Sequence, residues 1–270
     1  MSKPSLQGKM RPLPARTKPG MGCSLRPQAG VGGLQGGTMA TRTYYEQSRP
    51  EVRPFVPAQC LRVLEIGCSE GRFMAGLKAE RPGLYAVGVE PFPDAASKAA
   101  AVFDRLIQAP VEAALDQLGD EAPFDCMVAN DVLEHLVDPW SVLKRVCERL
   151  APGGCVVASL PNIRHWPTLN ALFLGGRWDY TEAGVLDRTH LRFFTRQSLP
   201  DLFKRGGFAL TACEGINAAE LPWKIALLNR LLSGRFDDVR YQQFICVAHR
   251  FADSEAPIPQ SPLLQRPVAS

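Results

Sequence analysis

The sequence predicts an α/β fold in which a doubly wound, mostly parallel sheet of seven strands carries helices on both faces. Two observations support this fold class. Short apolar runs rich in β-branched residues alternate with helical patterns along most of the chain. The runs are apolar at successive positions, which is typical of strands buried on both faces of a parallel sheet.

The strands follow from these apolar runs and from the turn residues between them. In chain order, the predicted strands are residues 61–67, 84–90, 105–109, 124–130, 154–161, 208–215 and 241–250. The last two strands have no regular crossover helix between them. The intervening stretch is predicted to form an inserted helical cap instead.

Helical patterns fill the connections between the other strands. They fall within residues 44–56, 70–83, 94–106, 111–118, 138–154 and 198–208. Asp94 and Asp138 are predicted N-caps, because a short carboxylate side chain can accept the free N–H groups of a first helical turn. Pro139 directly after Asp138 suits the first helical position.

Composition divides the chain into three regions. Residues 1–43 contain 13 Gly or Pro and no hydrophobic periodicity, which is typical of disordered sequence. We favour Met39 as the true initiator. The predicted boundaries are 1–43 for a disordered or extended segment, 44–250 for one domain with insertions at about 162–195 and 217–240, and 251–270 for a disordered tail.

Charge gives no indication of a nucleic-acid partner. The whole chain has a net charge of +4, but seven basic residues and no acid lie in residues 1–43, which leaves −3 for the rest. The domain therefore lacks the excess of basic residues that binds phosphate backbones.

The cysteines and the apolar runs indicate a cytoplasmic protein. Eight cysteines are scattered without a CxxC pair or zinc-ligand spacing, so we expect buried, reduced thiols. No apolar run reaches the roughly 18 residues that a membrane-spanning helix needs. We therefore predict no transmembrane segment.

Residues 67–71 read GCSEG and allow two interpretations. As Gly-x-Ser-x-Gly they match the nucleophile turn of serine hydrolases, with Ser69 as the nucleophile. That turn should follow several strands, and an HGGG-type segment should precede it. Here the loop follows the first predicted strand, and no such segment precedes it. We therefore favour a loop whose glycines let the backbone approach a cofactor.

A cofactor loop predicts a carboxylate about 20 residues further on, at the end of the second strand, to bind ribose hydroxyls. Glu90 ends the run LYAVGVE, 19 residues after Gly71. The nicotinamide fingerprint is incomplete, since its second and third glycines are replaced by Ser69 and Arg72. Glu70 would oppose a diphosphate at the helix N-terminus. A cofactor without phosphate fits this turn better.

The stretch VLEIGCSEGRF (63–73) resembles the first motif of class I S-adenosylmethionine-dependent methyltransferases, although serine stands at its middle glycine. FDCMVANDVLEHLVDP (124–139) and LKRVCERLAPGGCVVASLPN (143–162) resemble the fourth-strand and fifth-strand regions of the same family. The resemblance covers about residues 44–250. It implies the Rossmann-like methyltransferase fold and S-adenosylmethionine as cofactor.

The resemblance also implies which residues bind the cofactor. They are Glu65, Gly67, Cys68, Ser69, Gly71, Glu90, Val111, Asn130 and Asp131. Adenine contact is expected from the backbone near Val111, because Ala109 and Pro110 stand where relatives often have an acid. Whether Cys68 and Ser69 touch the amino-acid tail of the cofactor or face away from it stays open at this point.

Catalysis on an oxygen acceptor can require a general base, and histidine suits this role because it changes charge near neutral pH. His135 and His190 are the catalytic candidates, with His165 as a further one; a structural role is the alternative for each. Some quinone O-methyltransferases with a similar motif bind a divalent cation through positions that match Asp131, Glu134 and His135. We expect no metal here.

The insertions are expected to form the acceptor side of the site. Asp187, Arg188, His190 and Arg192 either bind substrate or anchor the 162–195 insertion by ion pairing. Aromatic residues there could stack on a sugar or quinone ring or act as lid residues; they are Trp166, Trp178 and Tyr180. The apolar face of the 217–240 insertion is expected to pack over the site rather than on a membrane.

Two stretches of the 162–195 insertion narrow the class of acceptor. NIRHW (162–166) and GRWDYTEAGVLDRTHLRFFT (176–195) resemble a bacterial subgroup akin to ubiquinone-type O-methyltransferases and surface-polysaccharide methyltransferases. This implies O-methylation of a small-molecule, quinone-like or glycan- or lipid-precursor acceptor. The alternative is a catalytically inactive S-adenosylmethionine-binding partner protein.

Overall fold

The computed structural model describes residues 48–251, which form one α/β domain. Its strands are β1 (Arg62–Ile66), β2 (Tyr85–Val89), β3 (Arg105–Ile107), β4 (Phe124–Asn130), β5 (Leu150–Pro161), β6 (Phe208–Ala218) and β7 (Tyr241–Arg250). All seven overlap predicted runs, but β5 begins at Leu150, within the stretch that was predicted as helix up to residue 154. The predicted disorder of residues 1–43, and of the tail beyond residue 251, lies outside the described residues.

The strands form a single sheet in the order β3-β2-β1-β4-β5-β7-β6. The pairs among β1 to β5 are parallel, and β7 runs antiparallel to both β5 and β6. The predicted fold class is therefore confirmed. Strand β7 lies between β5 and β6. It is antiparallel to both because the segment after β6 returns to the sheet without the crossover connection that a parallel strand needs.

Seven α-helices accompany these strands within residues 48–251. They are α1 (Arg72–Glu80), α2 (Pro93–Ala99), α3 (Val111–Gln117), α4 (Pro139–Arg149), α5 (Trp166–Gly175), α6 (Leu199–Arg205) and α7 (Trp223–Leu231). Asp138 caps α4 as predicted, since its carboxylate accepts the Ser141 N–H at 3.0 Å. Such a cap stabilises a helix by about 1 kcal/mol.

Two local predictions were wrong. The N-cap of α2 is Phe92, with Pro93 in the first turn and Asp94 already inside the helix; the proline moves the N-cap two residues earlier than predicted. The predicted helix over residues 44–56 is only a 3₁₀ turn at Arg53–Phe55 in its described part. Pro54 within this turn lacks the N–H that a longer helix needs.

Both faces of the sheet are covered. Leu64 of β1 packs with Leu115 of α3 and Phe203 of α6 in one buried cluster. Val63 faces the opposite side and packs with Met74 of α1 in a second cluster. Burying one such side chain fully contributes about 1.5–3 kcal/mol, so the apolar runs hold the sheet between two helical layers.

The order of the strands positions one edge of the sheet for binding. Ile66 at the end of β1 is in register with Val89 of β2 and with Ala129 of β4. Gly67, Glu90 and Asn130 therefore lie at the same carboxyl edge. The chain moves from β3 on one side of β1 to β4 on the other, and open α/β sheets bind ligands at such a reversal.

The helices within residues 48–251 are too short, or not apolar enough, to cross a lipid bilayer.

Candidate functional site

A cavity of about 600 Å³ opens at the carboxyl ends of β1, β2 and β4. Its wall contains eight of the nine predicted cofactor residues: Glu65, Gly67, Cys68, Ser69, Glu90, Val111, Asn130 and Asp131. Gly71 lies at the start of α1 as its N-cap. The volume is in the range of a small-molecule or cofactor site.

The turn after β1 depends on two glycines with left-handed backbone angles. Gly67 has φ +63°, and a Cβ there would lie 2.5 Å from Cγ2 of Val132. Gly71 has φ +79°, and a Cβ there would lie 3.2 Å from Cε2 of Phe103. A side chain at either position would strain the backbone and crowd a neighbouring side chain. Glycine at both positions therefore lets the turn pack closely against Val132 and Phe103.

Ser69 stands at the middle glycine of the motif and also has a positive φ, +50°. Its backbone N–H donates to Oε2 of Glu90 at 2.8 Å. The serine therefore contributes its main chain to the loop, and a small side chain tolerates this conformation better than a bulky one.

Cys68 directs its thiol towards the core. Its Sγ lies 3.0 Å from the position that a Cβ on Gly88 would occupy, beside Phe103. Burial and the nearby acids raise the pKa of the Cys68 thiol. The side chain is thus a buried, protonated thiol, and the contact of Cys68 with the cofactor stays a prediction.

Glu90 is buried at the cavity wall and accepts two main-chain hydrogen bonds. Ser69 donates to one carboxylate oxygen at 2.8 Å and Phe92 to the other at 3.0 Å. Burial raises the pKa of Glu90, and the two backbone N–H groups oppose that shift. Each carboxylate oxygen keeps further lone pairs for a ligand hydroxyl.

Two other predicted cofactor residues carry polar atoms without a hydrogen-bond partner among the described residues. Oε2 of Glu65 and both side-chain polar atoms of Asn130 are buried and unpaired. Burial, reinforced by Glu90, raises the pKa of Glu65 well above its usual range. Unpaired buried polar groups cost about 1–3 kcal/mol each, so this wall is suited to a ligand that supplies the missing hydrogen bonds.

Asp131 lines the cavity but has protein partners for its carboxylate. Ser159 and Gln243 donate to Oδ1 at 3.0 and 2.8 Å, and a guanidinium nitrogen of Arg49 lies 3.4 Å from Oδ2. Arg49, which precedes the first strand, is also a wall residue. Sequence reasoning missed it, because an isolated arginine outside the motifs carries no signal.

The two catalytic candidates lie close together. The rings of His135 and His190 approach edge to face with centroids 4.7 Å apart. His135 lines the cavity, whereas His190 is buried behind it. Burial lowers the pKa of His190, which favours the neutral imidazole. The third candidate, His165, precedes α5 and is not a wall residue.

Glu134 lies beside these histidines and is fully buried. Its Oε1 is 4.0 Å from Nε2 of His190, and burial together with Asp131 raises its pKa well above the usual range. Ligand atoms of Glu134, His135 and His190 lie within 4.8 Å of one another, a spacing that would accommodate a metal ion. This set differs from Asp131, Glu134 and His135, because Asp131 turns towards Arg49. The prediction of no metal stays a prediction.

The 162–195 insertion contributes polar residues to the cavity wall, whereas its aromatic candidates for ring stacking lie outside that wall. Asp187, Arg188 and Thr189 line the cavity. Arg188 forms an ion pair with Glu182, and Arg192 donates to the Val137 carbonyl instead of a substrate position. The aromatic candidates are not wall residues; they are Trp166, Trp178 and Tyr180.

Helix α7 also differs from the expectation that it packs over the site. None of its residues is buried, and Trp223 and Leu231 are 71% and 73% exposed. None of them lines the large cavity.

Comparison with known proteins gives the family to which this architecture corresponds. The profile of a family described as a methyltransferase domain matches residues 32–212. A trans-aconitate 2-methyltransferase of Methylobacterium radiotolerans is 32% identical over 159 residues, covering 55% of this chain and 60% of that protein. The chain thus spans less than two thirds of that relative.

A second relative and a solved structure are also named as methyltransferases. A ubiquinone biosynthesis O-methyltransferase of Cereibacter sphaeroides is 28% identical over 183 residues, covering 66% of this chain and 72% of that protein. The fold is similar to a SAM-dependent methyltransferase of Archaeoglobus fulgidus, with a TM-score of 0.55 and 18% identity over 74% of this chain and 91% of that one.

Proposed function

The chain belongs to the methyltransferase-domain family, and we propose that it transfers the methyl group of S-adenosylmethionine to an oxygen of a small-molecule acceptor. The observation that carries this proposal is the cavity at the reversal of the strand order, where Glu90 and two unpaired polar residues meet the glycine turn. The comparisons give no support to the alternative of an inactive binding protein.

S-adenosylmethionine is the cofactor of this family, and the residues of the cavity fit it. Glu90 would accept the ribose hydroxyls, which a carboxylate can bind as a pair. Glu65 and Asn130 offer unpaired donors and acceptors to a zwitterionic amino-acid tail. The glycine turn lets the main chain approach the ligand, and Val111 at the start of α3 would contact adenine.

The cofactor, when bound, supplies an electrophilic methyl carbon on a sulfonium. The protein's contribution is orientation, exclusion of water and acceptance of a proton. The buried strand ends and the turn hold one reactant. Asp187, Thr189 and His135 also line the cavity. An acceptor hydroxyl bound beside them would have a base within reach as the methyl group is transferred.

The acceptor end is polar, with Arg49, Asp131, Asp187 and Thr189 in its wall. One relative is named for ubiquinone biosynthesis and another for trans-aconitate. We propose a small quinone-like phenol or a glycan or lipid precursor as acceptor. We propose no nucleic-acid partner, in line with the net negative charge beyond residue 43.

A cytoplasmic location completes the proposal. Its support is that the seven cysteines within residues 48–251 are all free thiols, as expected of a reducing compartment.

Calorimetry with S-adenosylhomocysteine, followed by a product assay with catechol and trans-aconitate as acceptors, tests the function. Saturable binding and methylated product are expected. Absence of binding at millimolar ligand would overturn the cofactor assignment. The competing hydrolase hypothesis requires that a fluorophosphonate label Ser69; we expect no labelling, and we expect Ser69→Ala to retain cofactor binding.

A further inference from the structure

A short chain of hydrogen bonds connects the 162–195 insertion to His135 at the cavity wall. Oγ1 of Thr189 lies 2.6 Å from Oδ1 of Asp187 and 3.1 Å from Nδ1 of His135. The carbonyl oxygen of Thr189 lies 3.2 Å from the same Nδ1. One residue of the insertion thus contacts a single ring nitrogen through two oxygen atoms.

The direction of each hydrogen bond follows from the groups involved. Oδ1 of Asp187 accepts the Thr189 N–H at 2.8 Å, so this oxygen is an acceptor and the Thr189 hydroxyl donates its only proton to it. The hydroxyl oxygen then presents a lone pair to His135, and a carbonyl oxygen can only accept. Both contacts of Nδ1 are therefore acceptors, and Nδ1 carries the proton in the neutral ring.

The segments that carry these groups are held to each other by the main chain. The N–H groups of Leu191 and Arg192 donate to the Glu134 carbonyl at 2.8 and 2.9 Å. The N–H of His190 donates to the Asp187 carbonyl at 3.0 Å. The hydrogen bonds at His135 are thus made between two fixed pieces of backbone, which preorganises the ring.

We propose that Thr189, oriented by Asp187, is a positioning residue that keeps His135 as the Nδ1–H tautomer and so makes Nε2 its basic nitrogen. This inference rests on the proposed function. In the reaction, the acceptor O–H gives its proton to Nε2 and its oxygen electron pair forms the new C–O bond. The electrons of the C–S bond remain on sulfur, and the imidazolium returns its proton to solvent.

The arrangement resembles the general logic of a base oriented by a third group. A wrong tautomer would place a proton on the nitrogen that must accept one, so the ring would lose its function without any change in its position. A merely structural hydroxyl in the same insertion would have no such effect.

The test is nitrogen-15 NMR of the histidine rings in the full chain with saturating S-adenosylhomocysteine. His135 is assigned by comparison with His135→Gln. We expect Nδ1–H for wild type and for Thr189→Ser, and a larger Nε2–H population in Thr189→Val. Thr181→Val is the matched control, because its hydroxyl also bonds backbone carbonyls of this insertion, at 2.9 and 3.2 Å.

Kinetics supply the second measurement, with whichever of catechol and trans-aconitate is methylated. Thr189→Val should lower kcat by on the order of 10-fold, a part of the roughly 100- to 10,000-fold that a general base contributes. KM for the cofactor should stay unchanged, and Thr189→Ser should keep the wild-type kcat. An Nε2–H tautomer in wild type overturns the inference, as does an unchanged tautomer in Thr189→Val. Full activity of His135→Gln would instead refute the base role in the proposed function and leave the tautomer result standing.

Discussion

The carboxylate of Glu90 accepts the backbone N–H of Ser69 at 2.8 Å. This contact joins the end of the second strand to the turn that follows the first, across 21 positions of the chain. The predicted ribose ligand is therefore also a support of the loop that approaches the cofactor. A change at Glu90 should affect both the direct contact and the shape of the turn.

Glu90→Ala should weaken S-adenosylhomocysteine binding by at least about 10-fold, because it removes two ribose hydrogen bonds of roughly 1 kcal/mol or more each together with the support of the turn. Calorimetry measures this. Glu80→Ala is the control, since Glu80 is exposed and its ion-pair partner is Arg53. Equal binding by wild type and Glu90→Ala would refute the assigned role of Glu90.

The affinity for S-adenosylhomocysteine should also depend on pH through Glu90. Burial raises the pKa of Glu90 above its usual value, so the free protein takes up this proton at mildly acidic pH. A protonated carboxyl loses acceptor capacity, and affinity should fall as the pH is lowered from 7 towards 5. Glu90→Gln should bind more weakly with a flatter pH profile; a parallel decline in both proteins would contradict this.

Gly67→Ala should destabilise the fold by about 2 kcal/mol or more, through the left-handed φ and the 2.5 Å approach to Val132. Urea unfolding measures this difference. Adding Val132→Ala to Gly67→Ala should restore the stability that is lost through the clash, but not the stability that is lost through the left-handed φ. If the double variant is as unstable as the sum of the single variants, the two residues are not coupled.

Glu134→Gln should stabilise the protein increasingly with pH. Burial raises the pKa of Glu134 well above its usual value, so the folded state holds a proton that the unfolded state releases. This proton stabilises the fold fully at a pH below the pKa that Glu134 has in the unfolded state. The stabilisation is lost as the pH rises through the pKa that Glu134 has in the folded state. Glu134→Gln keeps a neutral side chain at every pH.

The difference in Tm between Glu134→Gln and wild type should therefore grow from pH 5 to pH 8 by about 3 °C or more. Differential scanning fluorimetry in the presence of EDTA measures it without a contribution from bound metal. Glu80→Gln, at an exposed position, should show no such trend. A constant difference for Glu134→Gln would indicate that its carboxyl is solvated in the folded state.

The strands and the cofactor end of the site were predictable from the chain itself. Each β-branched run is a strand, and parallel strands bring their carboxyl ends to one edge. Residues at the carboxyl ends of β1, β2 and β4 therefore meet whatever the loops do, which is why Gly67, Glu90 and Asn130 share one cavity. Their proximity depends only on strand order and register.

The acceptor end depended on the tertiary structure. The contacts of Thr189 with His135 join positions 54 residues apart, through an insertion without periodic pattern. Likewise, no local signal brings Arg49 to Asp131, buries His190 beside Glu134, or leaves Trp178 outside the cavity. By itself, the sequence determined the sheet and the side on which a cofactor would bind, because alternation and turn chemistry are local. The tertiary structure alone decided which polar groups of the insertion line the cavity, because irregular segments are placed by long-range packing and hydrogen bonds.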